Sequence, residues 1–350
     1  MKQRVCGKSD LKLPVLGLGC WAFGGGDYWG PVSQSDVNDV VRCAVDHGCN
    51  FFDTAEMYNQ GASESSLGIA IQGMPRDKIL IGSKISPSHT EPKKLVEHCE
   101  ASLRRLQTDY LDLYMVHWPI TAHSIVHFTT ESIPTPSVSE AFAALKELQA
   151  GGKIRHIGVC NFSAEKLDEA MATGAEIAAN ELPYSLLMRA IEQEILPHCV
   201  RRGVGVIGYM ALMQGILGKP YPSIEAIPIL HRRTRHFDAR RNQHCRHGMT
   251  GAEAETMAAL AAIRRIAHEQ GMTVAEISLK WAMAGKGMTS SLCGSSNVKN
   301  LERNLAAALE PLPADVMARL NRATRPLLEK LGPSFDYWEH PEKDRTRDLP

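Results

Sequence analysis

Eight short runs of strand-forming residues recur along the chain, each followed by a segment suited to a helix, and this alternation restricts the fold more than any other feature. The runs cover 15–18, 50–53, 79–82, 111–116, 154–159, 176–180, 204–209 and 289–293, and are apolar, β-branched or aromatic. Helices are predicted over 36–47, 93–106, 138–150, 163–172, 191–201 and 254–269; in the first, Val37, Val40, Val41, Ala44 and Val45 form one apolar face. Gly48, Gly151, Gly203 and Gly271 stand just past four of them, where a left-handed C-cap is needed. Strand plus helix repeating about every 30 residues builds a parallel sheet, and eight units is the number that closes a (β/α)8 TIM barrel. A doubly wound open sheet is the rival arrangement, and the count of eight favours the barrel. With 350 residues, 44% of them hydrophobic, the chain can fill the core of one such barrel.

Charge and cysteine content narrow the function classes. Lys plus Arg equals Asp plus Glu at 39 each, so no global field draws the chain to nucleic acid or an anionic membrane. The nine cysteines are scattered, with no CxxC pair, and read as reduced thiols. No apolar run of signal-peptide or membrane-spanning length is present, so a cytoplasmic, unanchored protein is expected.

Gly17-Leu18-Gly19-Cys20-Trp21-Ala22 has the spacing of half a dinucleotide-binding fingerprint. That fingerprint needs a helix to begin among its glycines, and the following stretch, with Gly24-Gly25-Gly26 and Pro31, cannot begin one. The segment reads instead as an aromatic-rich loop after the first barrel strand. In a barrel such a loop lies on the catalytic face, making Trp21, Tyr28 and Trp29 candidate walls of a substrate pocket, together with Trp118.

Asp53, Lys84 and His117 end the second, third and fourth runs, 31 and 33 residues apart, which sets them side by side at one rim of a barrel. Tyr58, five residues past Asp53, can fold back over the same place. A phenol with a pKa near ~10 is a poor proton donor at neutral pH unless a cation lowers it. Lys84 is expected to do the lowering, Asp53 to hold Lys84, and His117 to donate a hydrogen bond to a carbonyl oxygen. Singly, an Asp at a strand end is often a helix cap and a lone His is often structural; four such residues at matching positions carry the catalytic reading.

The run Gly48-Cys49-Asn50-Phe51-Phe52-Asp53-Thr54-Ala55-Glu56-Met57-Tyr58, continuing through Gly61, Ser63-Glu64 and Leu67-Gly68, resembles the motif of aldo-keto reductases. The resemblance extends through Ser83-Lys84, Asp109 to Tyr114, His117-Trp118-Pro119 and Gly152 to Ser163, over about residues 4–310. It implies a TIM barrel over 1–310 behind a short N-terminal β-hairpin, a C-terminal extension (helix and tail) over 311–350, and reversible hydride transfer between a nicotinamide cofactor and an aldehyde, ketone or alcohol. The tetrad carries over as Asp53, Tyr58, Lys84 and His117, with Tyr58 the general acid or base. Cofactor contacts carry over as Asn161, Glu181, Tyr209, Leu212, Gly215 and Leu217, and at the adenosine end as Gly294, Ser295, Asn297, Asn300 and Asn304. Two departures stand out: Glu181 replaces the usual Gln and when ionised accepts but does not donate a hydrogen bond, and Met210-Ala211 replaces Ser-Pro. NADP-dependent relatives carry Lys or Arg early in the adenosine-end turn, whereas this chain has only Lys299 nearby; NADPH is favoured on family habit, with NADH possible.

Two segments bear on substrate and partners. Residues 219–246 carry seven basic side chains (Lys219, Arg232, Arg233, Arg235, Arg240, Arg241, Arg246) against Glu225 and Asp238, read either as an anion-binding patch or as a solvated or subunit-contact loop. His244-Cys245-Arg246-His247 lacks a matching ligand cluster, so no metal is expected. The aromatic tail, Phe335, Tyr337 and Trp338, is ranked first as a homo-oligomer docking arm and otherwise as a pocket cap; 121–136 is expected to be an ordinary loop rather than a lid beside Trp118. The expected substrate is a sugar, polyol or small oxo-compound in carbohydrate metabolism. Two readings from other classes stand beside this: a Schiff-base aldolase acting through Lys84, and a redox-sensing regulatory subunit that binds cofactor with little turnover.

Overall fold

A computed structural model of the chain describes residues 1–349; Pro350, the last residue of the predicted tail, lies outside them. An antiparallel hairpin, β1 (Gln3–Val5) and β2 (Lys12–Pro14), precedes eight parallel strands that close into a barrel. These are β3 (Leu16–Gly19), β4 (Phe51–Asp53), β5 (Leu80–Ile85), β6 (Leu111–Val116), β7 (Ile154–Cys160), β8 (Ile177–Pro183), β9 (Gly205–Tyr209) and β10 (Met288–Cys293). Each pairs with the next, and Ser291 of β10 pairs with Leu16 of β3 to complete the ring. All eight fall on the predicted runs, with ends shifted by at most three residues.

The hairpin plugs the barrel at the strands' N-terminal ends. Cys6, Leu11 and Leu13 join Phe51, Leu113, Met115, Ile207 and Leu292 in an inner cluster, and the Lys8 amide donates to the Gly203 carbonyl beside the start of β9. Apolar filling at one end leaves chemistry to the other, where the strand C-termini open.

The outer layer comprises α1 (Gln34–Asp46), α2 (Ala62–Ala70), α3 (Pro92–Leu106), the short α4 (Ala122–Ile125), α5 (Val138–Ala150), α6 (Ala164–Ala172), α7 (Ile195–Arg202), α8 (Glu253–Glu269), α9 (Val274–Ala284), α10 (Val298–Ala307) and α11 (Ala314–Leu331). Helix α1 begins where the Ser33 hydroxyl accepts from the Asp36 amide at 3.1 Å, and it buries Val37, Val40, Val41 and Ala44. Of the glycines predicted as left-handed caps, Gly48, Gly203 and Gly271 have positive φ. Gly151 does not: it closes the last turn of α5 at φ −77°, and the reversal falls on Gly152 at φ +74°. Helices α2 and α9 had no predicted counterpart. The inward face of α2 is Ser63, Glu64, Ser66 and Gly68 around Leu67, which makes no apolar stripe. In α9 every residue from Ile277 to Met283 is buried, which erases amphipathic periodicity.

Helix α11 adds Val316, Leu320 and Leu327 to the main core, and the tail then returns across the C-terminal rim of the barrel. Phe335 and Tyr337 are buried within the same chain, the Ala190 amide donates to the Tyr337 hydroxyl at 3.0 Å, and Asp336 pairs with both Arg345 nitrogens at 2.8 Å. Of the three aromatic residues behind the docking-arm expectation, Phe335 and Tyr337 are spent on intramolecular packing, and Trp338 stays partly exposed.

Candidate active site

Asp53 ends β4, Lys84 lies one residue from the end of β5, and His117 follows β6, so three strand ends deliver a carboxylate, an ammonium and an imidazole to one rim. Lys84 is fully buried; its Nζ donates to Asp53 Oδ1 and Oδ2 at 2.6 and 2.7 Å, to the Thr54 carbonyl at 3.0 Å and to the Tyr58 hydroxyl at 3.2 Å. Tyr58 keeps part of its ring exposed, with the His117 ring edge-on at a centroid distance of 5.7 Å. The tight turn after Tyr58 holds it there: Asn59, Gln60 and Gly61 all have positive φ, and Asn59 Nδ2 donates to the carbonyls of Trp21 and Phe23 at 3.0 and 2.8 Å. Two non-glycine residues in the left-handed region cost about 1 kcal/mol or more each, which those side-chain bonds offset.

Electrostatics differ from expectation at two places. Burial raises the Tyr58 phenol above its ordinary value; Lys84 pulls it down but is outweighed, because its charge is already neutralised by Asp53. Glu181, on β8, places Oε1 3.5 Å from Lys84 Nζ and leaves its buried Oε2 with no partner. Burial and the neighbouring Asp53 carboxylate push Glu181 well above the usual carboxyl range, and in its protonated form it can donate a hydrogen bond. Lys84, which burial would discharge, is kept charged chiefly by Asp53, whose two oxygens both accept from its Nζ. His117 is held well below its ordinary value by burial and by Lys84, and is a neutral imidazole; its buried Nδ1 has no partner.

The residues expected at a cofactor line the same rim. Asn161, at φ +62° just past β7, donates from Nδ2 to the His117 carbonyl at 3.3 Å and accepts from the Tyr209 hydroxyl at 2.7 Å. The loop after β9 offers Leu212 and Gly215, while the Leu217 side chain is fully buried and leaves only its backbone to a ligand. Across the barrel seam, a Cβ on Gly294 would stand 3.1 Å from the Gly19 carbonyl, so only backbone fills this gap. Beyond it Ser295 bonds the Asn297 backbone, Asn297 caps α10 by accepting from the Asn300 amide at 3.1 Å, and Asn304 Nδ2 meets Cys293 Sγ at 3.2 Å. An orphaned buried acid beside an amide and a tyrosine, a side-chain-free gap and a helix N-terminus fit the carboxamide and phosphate groups of a nicotinamide dinucleotide.

Trp21, Tyr28 and Trp29 form an aromatic corner whose Trp21 ring lies 6.0 Å from Tyr58; Trp21 stacks on Tyr28 at 5.0 Å and meets Trp29 edge-on at 5.2 Å. Trp118 is not a free wall: it is buried, and Arg345 of the tail lies over its ring at 3.9 Å. Trp338 stacks beside Tyr209 at 6.5 Å, and His123 of α4 bonds the Asp344 carbonyl at 3.0 Å. The segment 121–136, expected as an ordinary loop, thus carries a helical turn docked on the tail, and its Phe128 ring lies 6.1 Å from His117.

The basic segment is mostly committed internally. Arg235 donates to the Leu331 and Ser334 carbonyls, Arg240 pairs with Asp238, Arg241 with Glu225 and Glu253, and Arg246 with Glu339. Arg232 and Arg233 keep buried Nε atoms without partners, and Arg233 lies 4.8 Å from the Tyr28 ring. Cys245 Sγ donates to the Arg232 carbonyl and His247 Nδ1 accepts from the Met249 amide. Sequence reasoning missed Arg345, Phe128 and the tail contacts, which join segments far apart in the chain.

The closed eight-stranded barrel thus carries Asp53, Tyr58, Lys84 and His117 together at its C-terminal rim. The model of the Aldo/keto reductase family matches residues 15–325, and the chain belongs to that family; it is an NAD(P)-dependent oxidoreductase. It is 35% identical over 239 residues to an NADH-specific methylglyoxal reductase of Escherichia coli, covering 62% of this chain and 69% of that one. It is 29% identical over 318 residues to the methylglyoxal reductase YeaE of Escherichia coli, covering 90% and 92%. The aligned part spans 61% of the length of the aldo-keto reductase YhdN of Bacillus subtilis and 94% of that of the protein tas of Escherichia coli. A crystal structure of an aldo-keto reductase from Klebsiella pneumoniae in complex with NADPH superposes with a TM-score of 0.68 at 27% identity, each chain fully covered.

Proposed function

We propose that the chain reduces aldehyde or ketone groups of small oxo-compounds, sugars or polyol precursors with NAD(P)H, Tyr58 giving the proton. The observation that carries this is the contact of the Tyr58 hydroxyl with Lys84 Nζ at 3.2 Å, with the neutral His117 ring beside it. The bound nicotinamide supplies hydride to the carbonyl carbon. As negative charge grows on the carbonyl oxygen, Tyr58 releases its proton to it and the adjacent ammonium stabilises the tyrosinate left behind. Asp53 keeps Lys84 charged and aimed, and His117 orients the carbonyl by donating a hydrogen bond. A phenol that burial holds above its ordinary value remains protonated until the substrate draws the proton off.

Asn161, Glu181 and Tyr209 hold the nicotinamide end in this reading, Leu212, Gly215, Leu217 and the free Arg232 and Arg233 the pyrophosphate, and Gly294, Ser295, Asn297, Asn300 and Asn304 the adenosine. NADPH is the favoured cofactor. Trp21, Tyr28 and Trp29 border the substrate, and the methylglyoxal reductases among the relatives favour a small oxo-compound. A Schiff base at Lys84 needs a neutral, accessible amine, whereas this one is buried, charged and bound by both Asp53 oxygens.

The test is a fluorescence titration with NADPH and NADH followed by steady-state reduction of methylglyoxal. Tyr58→Phe should lower kcat by about 10²–10⁴-fold while cofactor Kd stays within a few-fold of wild type. Tight binding with no turnover in the wild type would favour the regulatory reading instead.

A further inference from the structure

Behind the strand ends, outside the cluster just described, Glu56, His89 and His98 bring their ligand atoms together. They come from three elements: the turn after β4, a 3-10 turn after β5 (Pro87–His89) and the second turn of α3. Glu56 Oε1 meets His89 Nδ1 at 2.8 Å, Oε2 meets His98 Nδ1 at 2.7 Å, and all three ligand atoms lie within 4.8 Å of one another. The two imidazoles stack at 3.9 Å. The Ser86 amide donates to Glu56 Oε1 at 2.8 Å, and the carboxylate is buried while the His89 and His98 side chains are 31% and 35% exposed.

We infer that Glu56, His89 and His98 form a binding site for one divalent first-row metal ion of the zinc class. Two stacked imidazoles and a carboxylate offer three lone pairs in one place, and a divalent ion takes one from each group at once. Zinc binds imidazole nitrogen and carboxylate oxygen at about 2.0–2.2 Å, and three protein ligands plus water complete its tetrahedron. Ligand atoms in such a tetrahedron stand about 3.3 Å apart; the two histidines meet different oxygens of Glu56, so binding opens each contact and draws both Nδ1 atoms toward one ion, a movement open to two partly exposed rings. Both histidines present the same nitrogen, leaving Nε2 to carry the ring proton, and the Ser86 amide supplies the outer hydrogen bond that steadies a ligating carboxylate. The residues are 33 and 9 positions apart, a spacing that matches no metal motif, which is why a sequence-level expectation of no metal passes over them.

The experiment uses tag-free, full-length protein stripped with EDTA, titrated with Zn²⁺ by calorimetry and with Co²⁺ by visible absorption. One equivalent should bind with micromolar or tighter Kd, and Co²⁺ should give the d–d bands of a four- or five-coordinate site. His89→Gln and His98→Gln should each weaken binding by at least about 10-fold while leaving the melting temperature and NADPH Kd of the metal-free protein unchanged. Absence of saturable binding to the wild type, or equal binding by the double variant, would overturn the assignment.

Discussion

Lys84 has no solvent of its own; Asp53 balances its charge, and Glu181 Oε1 stands 3.5 Å from its Nζ. The folded-state value of Glu181 is raised, so between about pH 4, where a free glutamate titrates, and its folded value the native state holds a proton that the unfolded chain has released. Stability from this group is therefore complete in acid and lost as pH rises through that window. Glu181→Gln removes the titration, and chemical denaturation should show the variant gaining stability over wild type as pH is raised from 4 to 8; a pH-independent difference would contradict the assignment. Position 181 was recognisable in the sequence as a departure from its relatives, but its upward shift was not. That depends on Asp53 and Lys84, which lie 128 and 97 residues away along the chain.

The turn joining β4 to α2 matters as a unit, since three successive left-handed residues carry the chain directly away from Tyr58. Asn59→Ala removes two hydrogen bonds and puts a Cβ residue with no compensating side-chain bond in the left-handed region. It should lower stability by about 1–3 kcal/mol and reduce kcat more than it changes cofactor Kd, measurable by thermal melts and steady-state kinetics. At this scale the amphipathic helices α1, α3, α5 and α8 were legible, because one apolar stripe meets the barrel. Helix α2 was not, because Glu64 on its inward face is balanced by Arg105 at 2.6 Å and by the Ser83 hydroxyl rather than by apolar neighbours.

Across the molecule, the eight-strand count sufficed to anticipate the barrel, whereas the tail's destination was hidden: an aromatic tail has the same composition whether it packs on its own chain or on another. A chain ending at Gly332 loses the buried Phe335 and Tyr337 rings, each worth about 1.5–3 kcal/mol, and uncovers Trp118 and Tyr209. Its melting temperature should fall by several degrees while light scattering gives the same mass per particle, in subunits, as the full-length chain. A fall in subunit number would support the docking role. The seam between β3 and β10 joins Leu16 to Ser291, so closure of the ring waits on a contact between distant parts of the chain. Asp53, Tyr58, Lys84 and His117 all precede β7, and a chain that folds from its N-terminal side carries its full proton-transfer set before the scaffold that keeps water from it has closed.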